Sequence, residues 1–498
     1  MKMRLWVAIV VTLAALIRLP SFLHDGIWRD EAYVYIDVTA STFGEFFHRV
    51  TETEWHPPLY FLLAYAWSHV AGTSALALTM LPYAFSVATT ALVYLLGTAA
   101  ASRKVGLLAA SIYALAPLPI EYSTEYVYPL TGALAALLAW LVTRARREVP
   151  STHALLAVAA VSILTAFSHY VALIFIVLLG GWSLLGRPNP RQAMMLVSAL
   201  AAGPLAFLFW LPVFLAQRRI GVPFQFPIVP LLKAWFFAKW LLEFMPGRPF
   251  QAECALLLLL VVAVVMIVRR GVWRNDAAAL GLMFVAMLFF TTAAGLPYER
   301  YAVPYCGLLY VAIAWSAFAL FDLFAREDPA AWQRFGKFVP VVLAAVFAAG
   351  DIAYAFQNAS VPKSGIATFA SSGLDRSTLY VIAPDYMAAT FAFYTRDHPV
   401  AYRGFVRVDD PQIFRVEGYA RDWTDPHVVE RAIATIERDA LFFKYVTVVA
   451  DERALTAQNP YRQTRRLLRR LETRYRLLSE SRYPGRFEPV AVFRFVIE

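Results

Sequence analysis

The distribution of apolar residues along the chain predicts a protein that crosses a membrane many times. Apolar runs recur through residues 1–357 and are separated by short polar loops. Many are long enough to cross a hydrocarbon core of roughly 30 Å, which takes about 20 helical residues. The first run, 3–23, contains Arg18 and Pro20 and lacks a small-residue cleavage site, so we interpret it as an uncleaved first helix and not as a signal peptide.

The basic residues of the loops predict the orientation of these helices. Lys2 and Arg4 precede the first run, and because positive residues favour the cytoplasm, the first helix runs outward. The run at 57–72 is marginal in length, and if it crossed, every later basic loop would be inverted. We therefore predict an interfacial or re-entrant helix at 57–72, a cytoplasmic N-terminus and an external C-terminus. About eleven spans follow, at 3–23, 75–99, 105–120, 126–143, 152–168, 171–186, 192–215, 252–268, 277–296, 301–323 and 338–357.

The tail at 358–498 differs in composition and predicts a separate soluble domain. It alternates strand-like runs with helix-like runs, a pattern typical of a small α/β domain. The strand-like runs are 378–383, 445–450 and 489–497, and the helix-like runs are 386–396, 425–439 and 464–475. We thus divide the chain into a transmembrane domain at 1–357, whose first outer loop at 24–74 holds interfacial helices, and an extracytoplasmic α/β domain at 358–498.

Composition and charge agree with this division. The chain is 60% hydrophobic and 16% charged, whereas soluble domains are nearer half apolar and a quarter charged. A net charge of +10 would suggest nucleic acid as the partner of a soluble protein. Here the basic residues lie mostly between apolar runs, so we interpret them as topology signals and predict no nucleic-acid partner. Cys254 and Cys306 form neither a zinc-type spacing nor a disulfide framework.

The predicted outer loops carry most of the residues that could do chemistry. A charge held against a membrane surface is costly unless it is paired, hydrated or used. An ordinary hydrated surface remains the alternative for any single residue, but the neighbouring Trp and Tyr side chains favour a site for the set. Its members are Asp30, Glu31, Glu52, Glu54, His56, Glu121, Glu125, His169, Glu299 and Arg300.

Such a set suits transfer of a sugar from a lipid-phosphate carrier. A carboxylate can act as general base on an acceptor hydroxyl, and a nearby cation can neutralise a phosphate leaving group. No glycine-rich nucleotide loop appears in the chain, which argues against a nucleotide-sugar donor. A multi-span transporter or flippase for lipid-linked sugars is the main alternative, although no internal repeat is evident. A polysaccharide polymerase or ligase and a membrane-anchored binding protein are the others.

Several short elements, in order, resemble those of the GT-C membrane glycosyltransferases. The resemblance is nearest to bacterial relatives of family 39, the protein O-mannosyltransferase-like enzymes and the lipid A aminoarabinose transferases. It extends over roughly residues 1–320. The elements are Trp-Arg-Asp-Glu-Ala-Tyr at 28–33, His-Pro-Pro-Leu-Tyr at 56–60, Tyr-Ser-Thr-Glu at 122–125, Ser-His-Tyr at 168–170 and Arg-Tyr-x-x-Pro at 300–304.

The resemblance implies a GT-C-like catalytic membrane domain and a role for each matching residue. Asp30 would be the catalytic base, and Glu31 would support its loop. His56 stands where a basic residue approaches the donor phosphate, and Arg300 would contact that phosphate. Glu125 would shape the second-loop side of the site. The plain alternatives are that Asp30 caps a juxtamembrane helix and that His56 prefers the interface.

The chain departs from the family pattern in two places. Val127 stands where an Arg usually follows the second-loop Glu, which puts the role of Glu125 in doubt. In some relatives the carboxylate directly before the Pro-Pro element helps to bind a divalent metal, but Trp55 occupies that place here and Glu54 lies one residue further back. We carry Glu54 and His169 forward as metal ligands, with a backbone hydrogen bond as the alternative for His169, and we predict no other cofactor.

The resemblance also implies the partners and the location. The donor would be a polyprenyl-phosphate sugar, with mannose, glucose, arabinose and aminoarabinose all open. The acceptor would be a hydroxyl of a protein, lipid or glycan. Arg218 and Arg219 lie in a long outer loop and would bind the donor phosphate or the headgroups of membrane lipids. We expect an inverting glycosyltransferase in a bacterial inner membrane, with its active site on the extracytoplasmic side.

Overall fold

The computed structural model describes residues 2–185, 189–220, 239, 275–294, 299–327, 360–406, 419–456 and 463–497. Apolar helices fill the first part of these residues, and a mixed sheet flanked by helices fills the last part. The predicted spans at 252–268 and 338–357 lie outside the described residues, as does the predicted domain boundary at 357.

The helices before residue 328 agree with the predicted polytopic membrane fold. Among the described residues, four helices are long and apolar enough to cross a membrane, and a bent pair at 57° makes up to five. Shorter apolar helices accompany them, so the count of about eleven spans stays a prediction. The helices are Lys2–His24, Arg29–Val38, Phe43–Thr53, Leu59–Ala71, Ala75–Ala100, Arg103–Leu115, Pro117–Glu121, Val127–Arg147, Thr152–Ala166, Ala172–Leu184, Pro190–Phe207, Leu211–Ile220, Asp276–Ala293 and Cys306–Glu327.

The segment predicted to lie in the interface forms the helix Leu59–Ala71. Its 13 residues extend over about 20 Å, which is less than the hydrocarbon thickness of roughly 30 Å. The helix ends at Gly72, whose φ of +79° is readily adopted by glycine. Its start is held by a hydrogen bond from Leu59 N to Phe167 O, at 3.1 Å. The length therefore agrees with the predicted interfacial helix, while its depth in the membrane stays a prediction.

The helix of the predicted span at 105–120 is broken, and whether this segment crosses the membrane stays a prediction. Two helices, Arg103–Leu115 and Pro117–Glu121, replace it, with a break at Ala116. A residue before proline is pushed toward extended backbone, and Ala116 adopts φ −63° and ψ 138°. The break turns the chain into the loop between Glu121 and Val127, which contains Glu125.

A buried arginine fastens the first helix to its neighbours. Arg18 has no exposed surface, and its guanidinium donates to Ser86 Oγ at 2.9 Å and to Ala114 O at 2.8 Å. It also donates to Tyr113 O at 3.0 Å. Because these acceptors satisfy a charge that would otherwise be costly among apolar helices, Arg18 fixes the helix that leads into the first outer loop.

The C-terminal part forms the predicted α/β domain, with a mixed five-stranded sheet of order β2-β1-β3-β5-β4. Strand β1 pairs in parallel with β2 and β3, whereas β5 pairs antiparallel with β3 and β4. The strands are Thr378–Ala383 (β1), Tyr402–Gly404 (β2), Tyr445–Asp451 (β3), Arg476–Tyr483 (β4) and Val490–Val496 (β5). The helices of this domain are Gly365–Ser371, Ala388–Thr395, Tyr419–Thr424, Pro426–Ala440 and Gln463–Arg474.

The sequence prediction missed both edge strands. Strand β2 has three residues, which is too short for a periodic signal. Strand β4 is exposed along nearly all of its length, so its sequence, Arg-Leu-Leu-Ser-Glu-Ser-Arg-Tyr, has no buried apolar face to reveal it. Charged residues on such an edge discourage pairing with other chains.

Candidate functional site

The segment predicted to be the first outer loop presents its acidic pair at the start of a helix. The helix Arg29–Val38 begins after Trp28, whose N–H donates to Glu31 Oε2 at 3.0 Å, as in a capping box. Asp30 is the second helical residue and not the cap, so the plain capping alternative does not hold. Negative charge in a first turn is also favoured by the helix dipole. Consecutive helical residues point about 100° apart, so Asp30 and Glu31 face different partners.

Asp30 lies between two guanidinium groups. Its Oδ1 accepts from Arg29 Nε at 3.0 Å, and its Oδ2 accepts from Arg300 Nη1 at 2.7 Å. The Asp30 side chain is 13% exposed, and Arg300 is 17% exposed. Burial works against ionisation, but Arg29 and Arg300 outweigh it and hold the pKa of Asp30 below its ordinary value. The structure thus joins the predicted base and the predicted phosphate-binding arginine.

Glu31 and Glu125 meet at a lysine of the C-terminal domain. Lys363 is fully buried, and its Nζ donates to Glu31 and lies 3.3 Å from Glu125 Oε1. The same ammonium donates to Thr124 O at 3.1 Å. Burial and the nearby Glu125 raise the pKa of Glu31 well above its usual range, although Lys363 acts in the opposite direction. Lys363 has no motif around it, and sequence reasoning did not find it.

His56 and His169 lie together in a buried aromatic cluster. Their ring centroids are 4.9 Å apart, and His56 Nε2 is 2.9 Å from the Tyr126 hydroxyl. Burial and then Arg300 lower the pKa of His56 to about 3, so its imidazole is neutral at physiological pH. His169 Nδ1 accepts a hydrogen bond from Val171 N at 3.1 Å, which is the backbone contact considered as its alternative role.

Glu54 faces a different carboxyl group. Glu54 and Asp37 are both buried and hydrogen-bonded to each other. Burial raises the pKa of Asp37 to about 7, and burial and Asp37 raise that of Glu54 well above its ordinary value. Such a pair is stabilised by sharing a proton.

The predicted metal ligands do not form a binding group in the part of the chain that the structure describes. There, no set of three or more His, Cys, Asp or Glu side chains is arranged to hold a metal ion. Glu54 is hydrogen-bonded to Asp37. His169 lies beside His56 and close enough to Arg300 for the positive charge of Arg300 to disfavour a bound cation. The residues therefore do not fit the predicted metal.

The side chains of Arg218 and Arg219 lie outside the described residues, so their predicted phosphate or headgroup contacts stay predictions.

The site that is described has two ionic groups. One is Arg29–Asp30–Arg300, and the other is Glu31–Lys363–Glu125. Both begin in the first turn of one helix, which makes that turn the centre of the candidate site.

Comparisons with known proteins identify the fold. No protein-family model matches the chain, and no curated protein sequence does. Among solved structures, ArnT from Cupriavidus metallidurans in the apo state aligns with a TM-score of 0.61 at 12% identity, over 99% of this chain and 98% of that one. ArnT bound to undecaprenyl phosphate aligns with a TM-score of 0.59 at 12% identity, over 98% of both chains.

A second kind of neighbour is the archaeal oligosaccharyltransferase AglB from Archaeoglobus fulgidus, in complex with an inhibitory peptide and a dolichol-phosphate. It aligns with a TM-score of 0.53 at 12% identity, over 97% of this chain and 74% of that one. These neighbours are GT-C glycosyltransferases, and the chain has their fold. The likeness that the sequence elements indicated is thereby confirmed at the level of the fold, along nearly the whole of ArnT, an aminoarabinose transferase.

Proposed function

We propose that the protein is an inverting glycosyltransferase that moves a sugar from a polyprenyl-phosphate donor to a hydroxyl acceptor at the outer face of a bacterial inner membrane. The observation that carries this proposal is the partly buried ion pair of Asp30 and Arg300, formed in the first turn of the helix Arg29–Val38 of a GT-C fold. The pair joins a carboxylate that can take a proton to a guanidinium that can hold a phosphate. Residues 1–357 form the catalytic domain in this proposal.

Arg300 is the phosphate-binding group. A guanidinium offers two parallel N–H donors that match two phosphate oxygens, and its charge is retained at any physiological pH. His56 assists as a neutral hydrogen-bond donor, because burial and Arg300 keep its pKa low. Two solved neighbours of this fold hold lipid phosphates, undecaprenyl phosphate in ArnT and a dolichol-phosphate in AglB.

Asp30 is the general base. As the acceptor oxygen attacks the anomeric carbon, its O–H proton passes to the Asp30 carboxylate. The bond between the anomeric carbon and the phosphate oxygen breaks, and its electron pair leaves with the phosphate held by Arg300. A single direct displacement inverts the anomeric centre and requires no covalent enzyme intermediate. General-base catalysis of this kind is typically worth about 10²–10⁴-fold in rate.

The ion pair of Asp30 and Arg300 makes donor binding precede proton transfer. While Arg300 and Arg29 both neutralise Asp30, its carboxylate holds a proton weakly. When a donor phosphate draws the Arg300 guanidinium toward itself, Asp30 loses part of its counter-charge, and its affinity for a proton rises. The base is thus activated by the arrival of the donor.

The experiment is transfer by purified full-length protein in detergent, with polyprenyl phosphates carrying mannose, glucose, arabinose or aminoarabinose. Mass analysis of lipid, protein and glycan acceptors should reveal one sugar on a hydroxyl, together with released polyprenyl phosphate. The matched variant Asp30→Asn keeps the size of the side chain and removes the base. Movement of intact donor across liposomes without any covalent product would instead support the flippase alternative and overturn the proposal.

A further inference from the structure

Lys363 stands where the C-terminal domain meets the first outer loop. Its backbone N donates at 2.8 Å to the carbonyl oxygen of Asp25, which lies in the same short segment between two helices as Trp28. Its carbonyl accepts from Phe487 N at 3.0 Å and from Glu488 N at 3.1 Å. The main chain at this residue is therefore fastened to both domains, which fixes the point from which the side chain extends.

The Lys363 ammonium donates two hydrogen bonds and forms ion pairs with two carboxylates. Glu31, Thr124 O at 3.1 Å and Glu125 Oε1 at 3.3 Å surround it, and its side chain has no exposed surface. An ammonium in a dry site is stable only when its donors are matched and its charge is balanced. Here two hydrogen bonds and two carboxylates offset the burial of the cation, and the carboxylates come from two different loops.

Both carboxylates, Glu31 and Glu125, also accept hydrogen bonds from Trp28. Glu31 Oε2 accepts from the Trp28 backbone N at 3.0 Å, and Glu125 accepts from the indole Nε1 at 3.1 Å. The indole is also stacked on Phe487 of the C-terminal domain, with ring centroids 4.9 Å apart. Lys363 is therefore linked to Trp28 in two ways. Glu31 connects its ammonium to the Trp28 backbone, and Glu125 connects it to the Trp28 ring. Trp28 in turn directly precedes the helix that carries Asp30.

Removing the cation would leave two carboxylates facing each other in a buried place. Like charges at this range repel, and each would also lose the partner that offsets its burial. They would move apart or take up a proton, and either change alters their hydrogen bonds to Trp28. Asp30 lies two residues beyond Trp28 in the first helical turn, so its carboxylate would be displaced as well.

We propose that Lys363 is a positioning residue, contributed by the C-terminal domain, whose ammonium is the shared counter-ion of Glu31 and Glu125 and thereby orients the helix that presents Asp30. The inference rests on the proposed function and assigns the C-terminal domain a part in it. In this inference the C-terminal domain helps to hold the helix Arg29–Val38 in the position that catalysis requires.

The test compares two variants of the full-length protein in the transfer assay. Lys363→Met should lower kcat by roughly 10–100-fold while KM for the donor changes little, because a displacement of about 1 Å is enough for such a loss. Adding Glu31→Gln restores the charge balance, and the glutamine oxygen can still accept from Trp28 N. The double variant should therefore recover most of kcat, an outcome that a purely structural role would not produce.

A matched control is Arg494→Met, which removes a cation of the same domain. Arg494 is 38% exposed and pairs with Asp375 at 2.9 Å, away from the first loop, so this variant should transfer at the parent rate. An unchanged kcat in Lys363→Met, or a double variant as slow as Lys363→Met, would overturn the inference. If Lys363→Met does not fold, Trp28→Phe decides, because it removes the indole N–H donor and keeps an aromatic ring at this position. This variant should lower kcat. An unchanged kcat would show that the hydrogen bond from the Trp28 indole to Glu125 does not help to position Asp30, and it would overturn the inference.

Hydrogen exchange separates this inference from the proposed function. The amides of Arg29–Val38 should exchange at least tenfold faster in Lys363→Met than in the parent, while those of β3 and β5 stay protected. If the parent transfers no sugar from any donor, the proposed function fails, yet the exchange result still decides whether Lys363 orders the helix. Equal exchange in the parent and the variant would overturn the positioning role.

Discussion

Asp30 and Arg300 are 270 residues apart in sequence, yet Arg300 Nη1 lies 2.7 Å from Asp30 Oδ2 in a partly buried ion pair. Arg29 holds the other carboxylate oxygen at 3.0 Å. The pair sits in the first turn of the helix after the first membrane helix. It couples the charge of a prospective base to that of a prospective phosphate ligand, and several predictions of pH dependence and affinity depend on this coupling.

Removal of Arg300 should change how the rate depends on pH. Arg29 and Arg300 lower the pKa of Asp30 against the effect of burial, so the free enzyme keeps its base ionised down to acidic pH. In Arg300→Gln that pKa rises, and the acid side of the profile of kcat/KM should move to higher pH. The profile of parent and variant, measured with the same donor, checks this. An acid limb at the same pH in both would mean that Asp30 is not the titrating group.

His56→Ala should weaken donor use more than acceptor use. His56 is neutral above a pH of about 3, so it offers the donor a hydrogen bond and not a charge. Loss of a hydrogen bond to a charged group costs about 1.5–3 kcal/mol, equivalent to roughly 10–100-fold in donor affinity. His56→Gln, which retains a donor group, is the matched control and should lose less. Equal donor affinity in parent and His56→Ala would remove His56 from the donor site.

Glu488 should make the folded protein less stable as the pH rises. Burial raises its pKa to about 7 from an ordinary 4.5, and its Oε2 accepts from Ser364 Oγ at 2.6 Å. Between those two values the folded chain binds a proton that the unfolded chain does not, so stability is lost as the pH rises through this window. The loss is at most roughly 3.5 kcal/mol, since one pKa unit corresponds to about 1.4 kcal/mol.

Glu488→Gln removes this titration and keeps the acceptor for Ser364. Thermal unfolding of full-length protein between pH 5 and pH 8 should then show a smaller fall in Tm for the variant than for the parent. Parallel Tm curves for the two proteins would show that Glu488 is ionised in the folded state already at pH 5.

The predicted topology places the C-terminal domain outside the cytoplasm. A reporter enzyme that is active only outside the cytoplasm should be active when fused after Glu498. The same reporter fused after Glu148, at the end of a helix that carries Arg144, Arg146 and Arg147 in its last turn, should be inactive. The reverse pattern would invert the topology and separate the outer loops from an extracytoplasmic donor.

Much of the fold follows from local patterns. Apolar run length predicted the membrane helices, and alternating runs predicted three of the strands, because the buried strands β1, β3 and β5 are rich in apolar residues. The exposed strand β4 has no such pattern. The predicted helix at 105–120 broke where Pro117 restricts Ala116, a local signal that a count of apolar residues overlooks.

The candidate site was accessible to sequence reasoning only in part. Loop topology and short motifs indicated that Asp30 and Arg300 share one face, and the structure joins them. The partners of Glu31 and Glu54 were not indicated, because Lys363 and Asp37 lie in no recognisable motif. Such contacts depend on how two domains and two loops pack, and a single sequence records no trace of that packing.

The central claim is that Asp30 takes the proton of the acceptor hydroxyl, and the most direct measurement is single-turnover transfer by Asp30→Asn. The amide keeps the size of the side chain and can still accept a hydrogen bond from Arg300, so folding and donor binding should be nearly intact. Transfer should fall by about 10²–10⁴-fold, the usual worth of a general base. If the Asn variant transfers sugar at the parent rate with donor bound equally well, Asp30 is not the base and the proposed mechanism is wrong.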